Sequence, residues 1–167
     1  MNYLEELVGE WYEFQGYFVR RNVKVGKRSK GGYEGELDVV AFHPERRHLV
    51  HVEPSMDALS WAKREEKFRK KFLAGRKHIH GLFAGLNVPD EVDQIALLQF
   101  ASKQRRATLG GAKPVLVSEL LVEILRELRA HRVVSNAVPE DKPILRTLQF
   151  VAEHRDVAFQ ALGGREL

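Results

Sequence analysis

No cysteine occurs among the 167 residues. Its absence excludes disulfides, thiolate zinc sites and a cysteine nucleophile. No apolar run approaches the length of a membrane span, and the start, Met1-Asn2-Tyr3-Leu4-Glu5-Glu6, is acidic and amphipathic rather than signal-like. These features predict a cytoplasmic protein with no membrane partner. Gly31-Gly32 and Gly110-Gly111 have neither a P-loop lysine nor dinucleotide spacing, and no serine sits in a nucleophile-elbow motif. Repeats, low-complexity segments and internal linkers are absent.

An apolar fraction of 44% is enough for a buried core. One domain over 1–167 is expected, with a core at about 2–101 and a C-terminal extension at about 102–167. The net charge is +4, unevenly spread. From Phe14 to Tyr33 there is no acid, while Arg20, Arg21, Lys24, Lys27, Arg28 and Lys30 are all present. Such a block suits a phosphate backbone. A second block, from Lys63 to Lys77, is interleaved with acids and reads as a solvated helix face.

Leu4, Leu7, Val8, Trp11 and Phe14 recur at helical spacing and predict a helix over about 2–17, stopped by Gly16. Alternation over Tyr17–Val25 predicts a strand. Strands at about 36–43 and 47–54 follow as a hairpin turned by Pro44-Glu45-Arg46. A second helix is expected over about 57–74, with Asp57 at its start and Ala58, Trp61, Glu65, Phe68 and Phe72 as its stripe. The apolar run Gln94–Ala101 suits a central strand. Beyond a polar loop at Ser102–Lys113 come a short strand at Val115–Val117, a helix from Ser118 to about 130, an edge strand at Arg132–Val138 and a last helix from Ile144 to about His154. The expected fold class is α/β, a mixed sheet flanked by helices.

The hairpin carries the chemistry. Asp38 precedes the apolar run Val39-Val40-Ala41-Phe42 in Gly35-Glu36-Leu37-Asp38-Val39-Val40-Ala41-Phe42, and Glu53 follows Leu49-Val50-His51-Val52. A carboxylate there is costly unless paired or bound to a cation. Two on neighbouring strands repel, and a hard divalent cation resolves the repulsion. Glu65, inside the apolar stripe of its helix, reads as a partly buried ion pair; the sharper alternative places it beside Glu53. His48 and His51 fall on opposite strand faces and cannot share an ion. His51 shares the face of Glu53 and is within reach of a phosphate or a water. His78 and His80 read as a surface turn, and Trp11 and Trp61 as packing.

The order αβββαβ, with Asp on the second strand and Glu on the third, resembles the restriction endonuclease-like, or PD-(D/E)XK, nuclease superfamily. Gly16-Tyr17, Arg20-Arg21-Asn22, Gly35–Ala41 and Leu49–Glu53 carry the resemblance, which is similar to the pattern of archaeal-type Holliday-junction resolvases and Mrr-like nucleases. It implies an αβββαβ core and a phosphodiester hydrolase acting on duplex or branched DNA. Asp38 and Glu53 would bind Mg²⁺ or Mn²⁺, which polarises the scissile phosphate and helps generate the attacking hydroxide. A first-helix glutamate completes the shell in many members. Glu10 is the first choice, with Glu5 and Glu6 nearer the usual spacing. Arg20, Lys24, Lys27, Arg28 and Lys30 would meet phosphates, and homodimers are common in the fold.

One departure stands out. The family pattern Glu-x-Lys is Glu53-Pro54-Ser55 here, and a serine supplies no positive charge. Three outcomes are open. Another cation reaches the site, with Lys24 and Lys63 as candidates; Ser55 serves a variant metal site; or catalysis is lost and the chain is a nucleic-acid-binding module or a subunit of a restriction or repair complex.

Overall fold

The computed structural model describes residues 2–100 and 107–163. It divides into two compact units, Met1–Val117 and Ser118–Leu167.

The first unit opens with helix α1 (Tyr3–Phe14). Asn2 caps it: its side chain accepts from the N–H groups of Leu4 and Glu5, and the Glu5 carboxylate accepts from the Asn2 N–H in return. Leu4, Leu7, Val8 and Trp11 are buried on one face, and Gly16, at φ 90°, ends the helix as expected. Strands β1 (Phe18–Lys27), β2 (Tyr33–His43) and β3 (His48–Ser55) form an antiparallel meander. Helix α2 (Trp61–Leu82) then crosses over to β4 (Asp93–Leu98), which runs parallel to β3, and β5 (Lys113–Leu116) runs parallel to β4. The result is a five-stranded mixed sheet in the order β1-β2-β3-β4-β5 flanked by helices, the expected fold class. Among the described residues no helix is long and apolar enough to cross a membrane.

Pairing of Val40 with His51 and of Phe42 with Leu49 puts these residues on the α2 face, together with Ile79 and Phe83 of the helix side. Val39, Ala41, Val50 and Val52 alternate with them and are fully buried on the α1 face.

The pleat breaks at one place. The β1–β2 register runs from Arg21–Val39 to Val23–Leu37 with no Asn22–Asp38 pair, and Asn22 has φ 53°. Past this kink, Gly35 faces α2, since a Cβ there would stand 3.2 Å from Ala74 Cβ. Asp38, three residues on, faces α2 as well. A regular strand puts residues three apart on opposite faces, so the kink aims both at the helix.

Helix α2 differs from its expected span. It starts at Trp61, with Ser60 at the N-cap, and runs to Leu82. Asp57 lies ahead of it and binds Arg64 and Lys67. The buried stripe is therefore Arg64, Phe68, Phe72, Gly75 and Ile79. His78 and His80 lie in the helix rather than a turn; they contact Glu34 and the Pro89 carbonyl. The first part of the polar loop expected at Ser102–Lys113, with Lys103, Arg105 and Arg106, lies outside the described residues.

Helix α3 (Val117–Leu128) leads into the second unit, followed by a 3-10 turn (Val133–Ser135) and helices α4 (Pro143–Glu153) and α5 (Arg155–Ala161). Ile124, Leu128, Val138, Leu145 and Ala152 are buried. The edge strand expected at Arg132–Val138 does not form. The Val133 N–H donates to Glu153 Oε2 at 2.6 Å, and Asn136 is left-handed at φ 50°, so the backbone turns instead of extending. The sheet ends with β5, which pairs with β4, so the compact unit reaches Val117 rather than about residue 101.

Candidate active site

Val39 pairs with Val52, which makes Asp38 and Glu53 the next neighbours across the β2–β3 hairpin. Glu53 is fully buried and Asp38 nearly so. The Asp38 N–H donates to Glu53 Oε1 at 3.3 Å, tying backbone to side chain. Lys71, from the third turn of α2, completes the group. Its ammonium donates to Asp38 Oδ2 at 2.7 Å and also to Glu53 Oε2. One cation thus touches both carboxylates.

Electrostatics follow from this enclosure. Burial, and then the neighbouring Glu53 charge, push Asp38 up from 3.8 to about 6. Burial works against the Lys71 charge, but Glu53 and Asp38 outweigh it and its pKa is raised. Lys71 is therefore a fixed cation at neutral pH. With both acids ionised the trio carries one net negative charge, which favours a further cation.

His51 lies beside them, with no exposed surface. Its Nε2 is 2.7 Å from Glu53 Oε1. Burial, and then the Lys71 charge, depress its pKa to about 3, so the imidazole is neutral. It is shielded from any phosphate, which corrects the expectation of an accessible histidine. Gln94 on β4 is hydrogen-bonded to His51 Nδ1 at 3.2 Å and donates to the Phe72 carbonyl at 3.0 Å. Gly75 makes room: a Cβ there would lie 2.3 Å from His51 Nδ1.

The other expected residues are scattered. Ser55 is buried further along β3 beside Leu98 of β4. Glu10 is buried near Arg21, whose guanidinium lies against Gly9 and pairs with Glu13 at 2.5 Å. Because Arg21 pairs with Val39, that cluster is on the α1 face, across the sheet from Asp38 and Glu53. Glu5 is spent on the helix cap, and Glu6 is 3.8 Å from Arg21. Arg20 donates to the Leu82 carbonyl at the end of α2, whereas Lys24 stands over the Tyr33 ring. Lys27, Arg28 and Lys30 are exposed at and beyond the end of β1. Lys63 is exposed near the start of α2, and neither it nor Lys24 supplies the cation at the carboxylates. Among the described residues Glu65 has no ion-pair partner and does not reach the site; it accepts from the Gly110 N–H at 2.9 Å. His43 and His48 gather around Tyr17, whose hydroxyl is 2.7 Å from His48 Nδ1.

Lys71 and Gln94 are the residues that sequence reasoning missed. A helix extended to Leu82 shows the signal for Lys71, because the buried stripe then runs through Phe68, Phe72, Gly75 and Ile79 and Lys71 borders it, partly buried. Gln94 had a weaker one, a polar residue heading an apolar run.

The donor set suits a hard divalent ion. Two carboxylates already converge on one cation, and Mg²⁺ characteristically takes one or two carboxylates and keeps several waters. Among the described residues no third histidine, aspartate or glutamate joins them in a metal-binding cluster.

No family model matches the chain, and no curated protein matches it. Among solved structures, the crystal structure of a protein of unknown function, AF1548, is similar over 90% of this chain and 95% of its own, at 14% identity and a TM-score of 0.46. A likeness of that degree carries no argument about activity.

Proposed function

We propose that this chain is a divalent-metal-dependent nuclease of the restriction endonuclease-like kind, hydrolysing phosphodiester bonds in DNA. The observation that supports this reading most is the Lys71 ammonium in contact with both Asp38 and Glu53. A carboxylate pair with an adjacent cation is what the chemistry needs, and a helix lysine fills the role that Ser55 leaves open. Asp38 and Glu53 would hold Mg²⁺ or Mn²⁺, which supplies Lewis-acid polarisation of the phosphate. With those carboxylates engaged, the Lys71 ammonium turns to the phosphate oxygens and stabilises the charge that builds as water attacks phosphorus and the P–O bond breaks. Its raised pKa makes it an electrostatic group and not the base. The exposed Lys27, Arg28 and Lys30 suit backbone phosphates.

The test is cleavage of supercoiled and branched DNA with Mg²⁺ or Mn²⁺. Nicking is expected, with loss on chelation, in Asp38→Ala, and by about 100-fold or more in Lys71→Ala. Nicking that persists unchanged in Asp38→Ala overturns the site assignment. Salt-dependent DNA binding with no cleavage and no metal requirement instead favours the inactive nucleic-acid-binding module.

A further inference from the structure

We infer that His51 and Gln94 are positioning residues that choose which oxygen of Glu53 is offered to the metal. This rests on the reading of Asp38 and Glu53 as metal ligands. The direction of each hydrogen bond is set by its partners. Arg76 only donates, and its Nη1 meets Gln94 Oε1. The Phe72 carbonyl only accepts, and it takes a proton from Gln94 Nε2. These two ends fix the orientation of the Gln94 amide. Its Nε2 therefore also donates to His51 Nδ1, which must be the unprotonated ring nitrogen. The proton of the neutral imidazole then lies on Nε2 and is donated to Glu53 Oε1.

Glu53 Oε1 thus receives two protein donors, His51 and the Asp38 N–H, while Oε2 meets only Lys71 among the described contacts. One oxygen is saturated by the protein, and the other is turned toward Asp38 and open to exchange its cation. The relay runs Arg76, Gln94, His51, Glu53 and spans α2, β4 and β3. None of the first three touches a substrate in this arrangement; they act through Glu53. Outer groups of this type hold ligand carboxylates in the orientation that binds.

Mn²⁺ binding to the full-length protein, followed by the electron paramagnetic resonance of free Mn²⁺, tests the inference. His51→Ala is expected to weaken binding about 10- to 100-fold. His51→Gln, whose Nε2 can still donate to Oε1, restores most of it, which a role in packing alone does not predict. Affinity in folded His51→Ala within about twofold of the native protein overturns the inference, since outer groups that orient a ligand cost far more. A second measurement is independent of metal and of the variants' folding. A long-range ¹H–¹⁵N spectrum of the native protein should show the Nε2–H tautomer at His51, and the Nδ1–H tautomer overturns the relay. If the native protein shows the Nε2–H tautomer but binds no Mn²⁺, the metal reading fails while the relay stands as structure only, and the positioning role falls with the metal.

Discussion

Asp38→Asn should stabilise the metal-free protein at alkaline pH while removing one of the two proposed metal ligands. Burial and the Glu53 charge raise the Asp38 pKa from 3.8 to about 6. Between these values the folded protein keeps a proton that the unfolded chain has released, so stability falls as pH rises through the window and stays low above about 6. Two units correspond to a ceiling of roughly 3 kcal/mol, reduced to about 1–3 kcal/mol by the partial access of water to the Asp38 and Lys71 side chains. The substituted amide carries no charge and still offers an oxygen to Lys71. For a chain of this length the gain converts to a rise in Tm of roughly 3–10 °C at pH 8. The difference should shrink toward pH 4.5, where Asp38 is protonated. Thermal melts of both proteins in chelator across that range are the assay. Added Mn²⁺ should reverse the order, because only the native protein gains stability from binding. An Asp38→Asn variant less stable than the native protein at pH 8 overturns this prediction, since the ion pair with Lys71 would then outweigh the cost of burying the charge.

Three other outcomes follow from the same geometry. Lys71→Met leaves Asp38 and Glu53 facing each other without a cation, so the metal-free protein should lose about 3–5 kcal/mol in urea titrations at pH 8, recover part of it with Mn²⁺, and bind that ion more tightly than the native chain. Gly75→Ala brings a Cβ to 2.3 Å from a His51 ring that cannot move aside, so a net loss of about 1–3 kcal/mol is expected despite the better helix propensity of alanine; an increase in stability argues against the packed His51. Asn2→Ala removes the acceptor for two N–H groups of α1 and should cost about 1 kcal/mol, read from the same titrations, with Mn²⁺ affinity unchanged.

The hairpin was legible because its signal is local. Acids are conspicuous at Asp38 and Glu53, and alternation fixes which face each one takes. The third member was not legible in the same way. Helix α2 holds eight cations between Lys63 and Lys77; rotational phase brings Arg64 and Lys71 to the sheet side, and Arg64 is taken by Asp57. An assumed start at Asp57 centred the stripe on Trp61 and Glu65, whereas the observed helix buries Phe68, Phe72, Gly75 and Ile79. Among the described residues Glu65 meets a backbone N–H 45 residues away, which no side-chain pattern records. The strand expected at Arg132–Val138 had suitable valines, but a carboxylate from α4 claims its Val133 N–H. The kink at Asn22 is likewise set by pairing across strands and leaves no mark in either segment alone.

The close seat of α2 on Gly35 has a consequence for how the chain can be adjusted. Ala74 sits one helical turn beyond Lys71, and a Cβ on Gly35 would meet it at 3.2 Å. Two residues without functional groups therefore act as a spacer that sets how deeply the lysine is seated. Bulk added at either position lifts the helix by fractions of an ångström, a graded throttle on the trio that leaves every chemical group in place. Small-residue variation at 35 and 74 is thus a dial, where substitution of Asp38, Glu53 or Lys71 is a switch.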